Sequence, residues 1–128
     1  MAYLLDTSVE IGVRDGDPAV TAKLGALEGA VMLSIITRVE LEGGVYREPA
    51  ESGLRRARLD AILDVLPVLA FDEHAADAYR TIVEAVGYSR RKLLDRMIAA
   101  QALVHRAAVV TQNPADFRDV PGLEVIAW

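Results

Sequence analysis

Four acids, Asp6, Glu40, Asp95 and Asp116, lie far apart in the chain, each at the edge of a short apolar run: LLDTSV, SIITRVELEGG, KLLDRMIAAQAL and VVTQNPADF. Carboxylates drawn together from such places suit a hard divalent cation. Mg²⁺ takes oxygen ligands in octahedral geometry, commonly one or two carboxylates with waters and substrate phosphate completing the shell. An ion held in this way polarises a phosphoryl oxygen, lowers the pKa of a bound water and stabilises the leaving oxygen. The chemistry expected of the set is phosphodiester hydrolysis with Mg²⁺ or Mn²⁺. Asp6 and Asp95 would hold the ion. Asp116 would add a ligand or support one, and Glu40 would orient a water or complete a second site. Thr7, Ser8, Thr111 and Asn113 stand close by in sequence and can donate hydrogen bonds that fix those carboxylates.

Taken singly, each acid has a plain structural alternative. Asp-Thr-Ser is good capping chemistry for a helix that begins after Asp6. Glu40 stands three residues after Thr37, the spacing of a capping box, in the first turn of the expected helix. Asp95 would suit the positive end of a helix dipole, and Asn113-Pro114-Ala115-Asp116 is a plausible turn. The weight rests on the combination.

Elements must position that combination. Short apolar runs alternate with segments of helical period, the pattern of an α/β fold with a mostly parallel sheet of four to five strands. Tyr3–Leu5, Val31–Ile35, Pro67–Ala70 and Ala108–Thr111 are expected strands, with Leu123–Ile126 a short edge strand. Helices are expected from Pro18 to about Leu27, Thr37 to Tyr46, Arg55 to Leu66, Asp72 to Gly87 and Leu94 to His105. In open α/β sheets ligands bind beyond the carboxyl ends of the strands, and that is where the four acids fall.

The 128 residues fit one domain, residues 1–128, without repeats or linkers. No apolar run approaches a membrane span. The start, Met1-Ala2-Tyr3-Leu4-Leu5-Asp6, lacks a basic region and meets an acid at once, so a signal peptide is not expected and a cytoplasmic setting is. There is no cysteine, which excludes disulfides and thiolate metal sites. The net charge of −5 argues against coating nucleic acid by bulk attraction. It fits an enzyme that collects carboxylates.

Basic charge is nevertheless concentrated beside one acid. Arg90, Arg91, Lys92 and Arg96 surround Asp95 and would form a rim that grips RNA phosphates. Arg55, Arg56 and Arg58 read as a solvated helix face. His105 lies in an apolar stripe and reads as structural, and His74 as solvated. Neither has a partner for acid–base catalysis, so a metal-free histidine mechanism is disfavoured. No phosphate-cradling glycine motif is present.

LLDTSV around Asp6, SIITRVELEGGV around Glu40, LLDRMIAAQAL around Asp95 and VVTQNPADFRDVPGLEV around Asn113 and Asp116, in this order, resemble the PIN-domain ribonucleases. Within them the likeness is to toxins of the VapBC toxin–antitoxin group, and it spans essentially the whole chain. The resemblance implies a PIN-like α/β/α sandwich, Mg²⁺- or Mn²⁺-dependent endoribonuclease activity on RNA, homodimerisation, and neutralisation by a small VapB-like antitoxin whose tail enters the active site. It carries the family's acids onto Asp6, Glu40, Asp95 and Asp116. The basic stretch Ser89-Arg90-Arg91-Lys92 departs from the pattern and leaves substrate preference open. Two other readings keep the acidic pocket: a metal-dependent DNA or flap nuclease, and a non-enzymatic binding module.

Overall fold

The computed structural model describes residues 1–128. Its strands are β1 (Ala2–Leu5), β2 (Ala30–Ser34), β3 (Val68–Leu69), β4 (Ala108–Thr111) and β5 (Val125–Ala127). Between them run helices α1 (Thr7–Arg14), α2 (Pro18–Ala26), α3 (Ile35–Arg47), α4 (Ser52–Val65), α5 (Glu73–Val86) and α6 (Leu93–Val104), with short 3₁₀ turns at Pro49–Glu51 and Pro114–Asp116. The sheet has the order β3-β2-β1-β4-β5 and every pairing is parallel. The chain moves outward from β1 through β2 to β3, then returns to lay β4 and β5 on the other side. That reversal opens a crevice between the carboxyl ends of β1 and β4.

Alternation along the two central strands builds both layers. Leu4 and Val109 face one way and pack with Ile82 of α5, Ile98 of α6 and Phe117. Tyr3, Leu5, Ala108 and Val110 pack with Val9 of α1 and Val20 of α2. Side chains of a strand point to opposite faces in turn, so both faces are covered and the α/β/α sandwich follows. Leu4, Leu5, Val109 and Val110 are fully buried, each worth roughly 1.5–3 kcal/mol of transfer free energy. The strand ends beneath the crevice are therefore held firmly. A smaller cluster of Leu41, Val45 and Leu59 joins α3 to α4.

One buried side chain fixes α6 over the sheet. Gln101 Nε2 donates to the Leu69 carbonyl at 2.9 Å, and its Oε1 accepts from Ser34 Oγ. These two bonds tie the helix to β2 and β3. No helix is long and apolar enough to cross a membrane.

Several expected boundaries shift. Helix α1 lies outside the expected helical segments; only Asp6's capping chemistry points to it. β2 ends at Ser34, because Ser34 Oγ accepts the Ile36 N–H at 3.0 Å and starts α3 there. Thr37 is then already inside the helix, so it forms no capping box with Glu40, which sits in the second turn rather than the first. β5 begins at Val125 and not at Leu123. His105 lies exposed at the C-cap of α6, where its backbone N–H bonds Gln101, so it is not part of an apolar stripe.

Candidate active site at the carboxyl ends of β1 and β4

Asp6 is the first residue beyond β1, and its N–H extends the β1–β4 pairing by bonding the Val110 carbonyl at 3.0 Å. Its carboxylate is buried, with three donors on Oδ1 and one on Oδ2, which keeps a lone pair. Oδ1 accepts from Ser8 N at 2.8 Å, Ser8 Oγ at 2.5 Å and Val9 N at 3.3 Å, while Oδ2 accepts from Thr111 Oγ1 at 2.6 Å. Asp6 thus caps α1 and occupies the crevice at once; the two roles are compatible.

The donors are themselves held. Thr111 Oγ1 accepts from the Asn113 backbone N–H at 2.9 Å, and Ser8 Oγ accepts from Gln112 N at 3.1 Å. Residues 6–8 and 111–113 are laced together by side chains that all converge on one carboxylate. Asn113 contributes through its main chain; its side chain, expected to donate, makes no hydrogen bond.

Glu40 projects from α3 into solvent, with Oε1 accepting from Thr7 Oγ1 at 2.6 Å. Thr7 Oγ1 lies 3.1 Å from Thr37 Oγ1, a buried hydroxyl. Asp95 occupies the first turn of α6 and Asp116 ends the turn Pro114–Asp116, both half-buried. The Asp95 carboxyl is pushed up to about 6, first by burial and then by the charges of Asp116, Asp6 and Glu40, with Arg91 opposing. The four acids from distant parts of the sequence thus share one electrostatic neighbourhood.

The chemistry of these donors, though not yet their spacing, suits a divalent ion. The donors are carboxylate and hydroxyl oxygens, the ligands preferred by Mg²⁺ and Mn²⁺. Asp95 also feels the negative charge of three neighbours, which a cation would relieve. As the side chains lie, no three acids or histidines stand close enough to share an ion. A pair of carboxylates with waters is sufficient for Mg²⁺.

A fifth acid escapes a reading of the sequence alone. Glu10 lies one turn after Asp6 in α1, fully buried, with neither carboxyl oxygen hydrogen-bonded. Burial and then the Asp6 charge push it up to about 7. A signal is present: Glu10 interrupts the apolar pair Val9 and Ile11 and falls on the face of α1 shared by Asp6 and Thr7.

The PIN domain family model matches residues 3–123. This chain belongs to the PIN domain family. Relatives of this PIN domain include Ribonuclease VapC1 of Rickettsia felis, 29% identical over 98% of this chain and 96% of the relative. Ribonuclease VapC of Rickettsia bellii is 26% identical over 98% and 96%. Among solved structures, VapBC2 from Rickettsia felis, bound to a DNA fragment from its promoter, superposes with a TM-score of 0.85 at 25% identity, covering 100% of this chain and 99% of that one. FitAcB from Neisseria gonorrhoeae gives 0.79 at 31% identity, covering 97% and 96%.

The basic residues beside Asp95 divide into two groups in this PIN domain. Arg96 is 3% exposed and donates to the Gly87 carbonyl at 2.6 Å and to Asp119 at 3.1 Å. Lys92 Nζ meets the same carboxylate at 3.2 Å. Burial alone would raise the Asp119 carboxyl, but hydrogen bonds and charge from Lys92 and Arg96 outweigh it and hold Asp119 below the usual carboxylate range. Both cations are spent on tying the α5–α6 connection to the loop before β5. Arg96 therefore leaves the expected phosphate-gripping rim, and Lys92 is largely withdrawn from it. Arg90 and Arg91 remain exposed and free of ion pairs.

Proposed function

We propose that this PIN domain is a Mg²⁺- or Mn²⁺-dependent endoribonuclease that acts as the toxin of a toxin–antitoxin pair. The observation carrying the reading is the gathering of acids at the β1–β4 crevice. There Ser8, Val9 and Thr111 hold the Asp6 carboxylate, and burial together with the charges of Asp116, Asp6 and Glu40 raises the Asp95 carboxyl. Full-length likeness to relatives called ribonucleases supports RNA as the substrate. A divalent ion bound there would polarise the scissile phosphate and acidify a water. The chain's own residues do the positioning. Ser8 and Thr111 keep Asp6 oriented, α6 presents Asp95 from a helix pinned by Gln101, and Thr7 holds Glu40 by Oε1. That leaves Glu40 Oε2 free to accept a proton from an attacking water. Arg90 and Arg91 would take the flanking phosphates.

The antitoxin is expected to use two features. An arginine pairs well with clustered carboxylates and would compete with the ion for Asp6, Asp95 or Asp116. Between α1, α2 and α4 lies a hollow of about 340 Å³ lined by Val13, Leu24, Ala61, Ile62, Val65 and Leu66, suited to an apolar stretch of the same partner. Neighbours of this fold were solved as VapBC complexes, which supports such a partner. The reading also includes a cytoplasmic homodimer, which sedimentation of the purified chain would check.

The test is cleavage of RNA and of single-stranded DNA of matched sequence, with Mg²⁺, with Mn²⁺ and with EDTA. RNA cleavage that needs the ion and is lost in Asp6→Asn is expected. Cleavage of both nucleic acids would favour a general nuclease, and RNA cleavage persisting in EDTA would overturn the metal assignment.

A further inference from the structure

A second hollow, of about 570 Å³, begins at Thr7 and Glu40 and runs away from the acids between α1, α3 and α4. Its floor is one stripe of α3: Glu40, Gly43, Gly44 and Arg47, at the spacing i, i+3, i+4, i+7 that shares a helix face. Arg55 of α4 and Arg14 of α1 form the walls, and Ile11, Leu41 and Glu48 complete the lining. The volume lies within the range of ligand sites.

Two of the cations lining this hollow form no ion pair, as is also true of Arg90 and Arg91, while Arg14 pairs with Asp15 at 3.0 Å. Arg38, Arg56, Arg80, Lys92 and Arg96 all lie in ion pairs with acids. Arg47 and Arg55 form none, and Arg55 spends one nitrogen on the Gly44 carbonyl at 2.9 Å. Arg14, 5% exposed, is laid flat against α3; a Cβ at Gly44 would come within 2.7 Å of its Nη1, so the glycine is what lets the guanidinium in. A Cβ at Gly43 would meet no atom within 4 Å and would project into the hollow. Arg47 suits the C-terminal dipole of α3, but the dipole accounts neither for Arg55 nor for the glycine floor.

We infer that this hollow is the track for the RNA strand next to the scissile bond, with Arg47 and Arg55 holding backbone phosphates and Gly43–Gly44 letting the strand lie close to α3. The inference rests on the ribonuclease reading for its substrate. Seven residues of α helix separate Glu40 from Arg47, about 10.5 Å at 1.5 Å per residue. At about 3.4 Å per stacked nucleotide, the arginines lie roughly three nucleotides from the acids. A preference for single strands follows, because the track is walled by α1 and α4 on both sides.

The experiment measures binding of a short single-stranded RNA in EDTA as a function of salt, beside cleavage by the wild-type chain in Mg²⁺. Arg47→Ala with Arg55→Ala should weaken binding on the order of tenfold and lower the salt slope by about 0.7 for each phosphate that is no longer neutralised. Gly43→Leu fills the track without adding charge or pairing with either arginine and should weaken binding as well. Arg80→Ala, on the distant α5, should match wild type. If the wild type cleaves RNA while the arginine and Gly43 variants keep its affinity and slope, the track is wrong and the nuclease reading stands. If the wild type never cleaves, yet RNA affinity falls with the arginines, the nuclease reading fails and the track holds. Unchanged RNA affinity together with lost inhibition by the antitoxin would assign the hollow to a protein partner and overturn the inference.

Discussion

Thr111 donates its hydroxyl hydrogen to Asp6 Oδ2 across 2.6 Å, joining residues 105 positions apart at the ends of neighbouring strands. The same hydroxyl accepts the Asn113 N–H. One buried side chain therefore sets both the direction of the Asp6 carboxylate and the path of the loop that carries Asp116.

Thr111→Val keeps the shape and removes both bonds. A hydrogen bond to a charged group is worth about 1.5–3 kcal/mol, and loss of a group supporting a metal ligand typically costs about 10–100-fold in affinity or rate. The expected outcome is a loss of about 2 kcal/mol in stability and at least tenfold weaker Mg²⁺ binding by calorimetry. Thr111→Ser should recover most of both. A variant with wild-type ion affinity would show that Ser8 and α1 suffice to orient Asp6.

Asp95→Asn should be harmless or stabilising without metal. The folded carboxyl stands at about 6 against 3.8 for an ordinary aspartate. The unfolded chain ionises first as pH rises from acid, so stability falls between about 4 and 6 and remains lower above that. The side chain is half-exposed, so the effect is about 1 kcal/mol after solvent screening is counted. Melts in EDTA at pH 8 should place Asp95→Asn at or above wild type while cleavage is abolished. Clear destabilisation would make Asp95 a structural helix acid.

Glu10→Gln tests the buried acid by pH dependence. Its carboxyl stands at about 7 against 4.5, so the folded state holds the proton over a window in which the unfolded chain has released it. Stability carried by that proton is present below about 4.5 and lost as pH rises through 7. The raw shift corresponds to roughly 3 kcal/mol at 1.36 kcal/mol per unit. The fall in stability from pH 5 to pH 8.5, measured by urea denaturation in EDTA, should shrink by about 2 kcal/mol in the variant. An unchanged profile would mean that water or local movement already satisfies Glu10.

Patterns that depend on neighbours in sequence are legible without the structure. The runs LLD and VVT, the helical stripes of α4 and α5, and the acids at strand ends rest on local periodicity and on where parallel sheets bind ligands. What stays hidden depends on who stands opposite. Arg96 and Lys92 look like free charge in sequence because Asp119, their shared partner, lies 23 residues or more downstream. Arg55 looks solvated because the rest of the hollow it lines is built by α3 and α1. Thr37–Glu40 matches a capping box, but Ser34 reaches the helix start first. Glu10 leaves only a local trace, an acid between Val9 and Ile11 one turn after Asp6, and it is burial that gives that trace its meaning.

The divided basic patch yields the last prediction. Arg96 is buried and joins Gly87 to Asp119, so Arg96→Ala removes a guanidinium that satisfies both. Removing one partner of a buried pair costs about 3–5 kcal/mol; Asp119 keeps Lys92 and is partly exposed, so about 2 kcal/mol is expected here. Arg90→Ala with Arg91→Ala touches no bond in the fold and should leave the melting temperature within about one degree. Its effect should fall on RNA instead, lowering the salt slope of binding by about 0.7 for each phosphate left without its cation. Arg91 also opposes the rise of the Asp95 carboxyl, so its removal should shift the acidic limb of a pH–rate profile upward. Measuring melting temperature and salt slope on both variants separates the two groups. If Arg96→Ala melts like wild type and loses salt slope, the buried cation reaches RNA after all and the division fails.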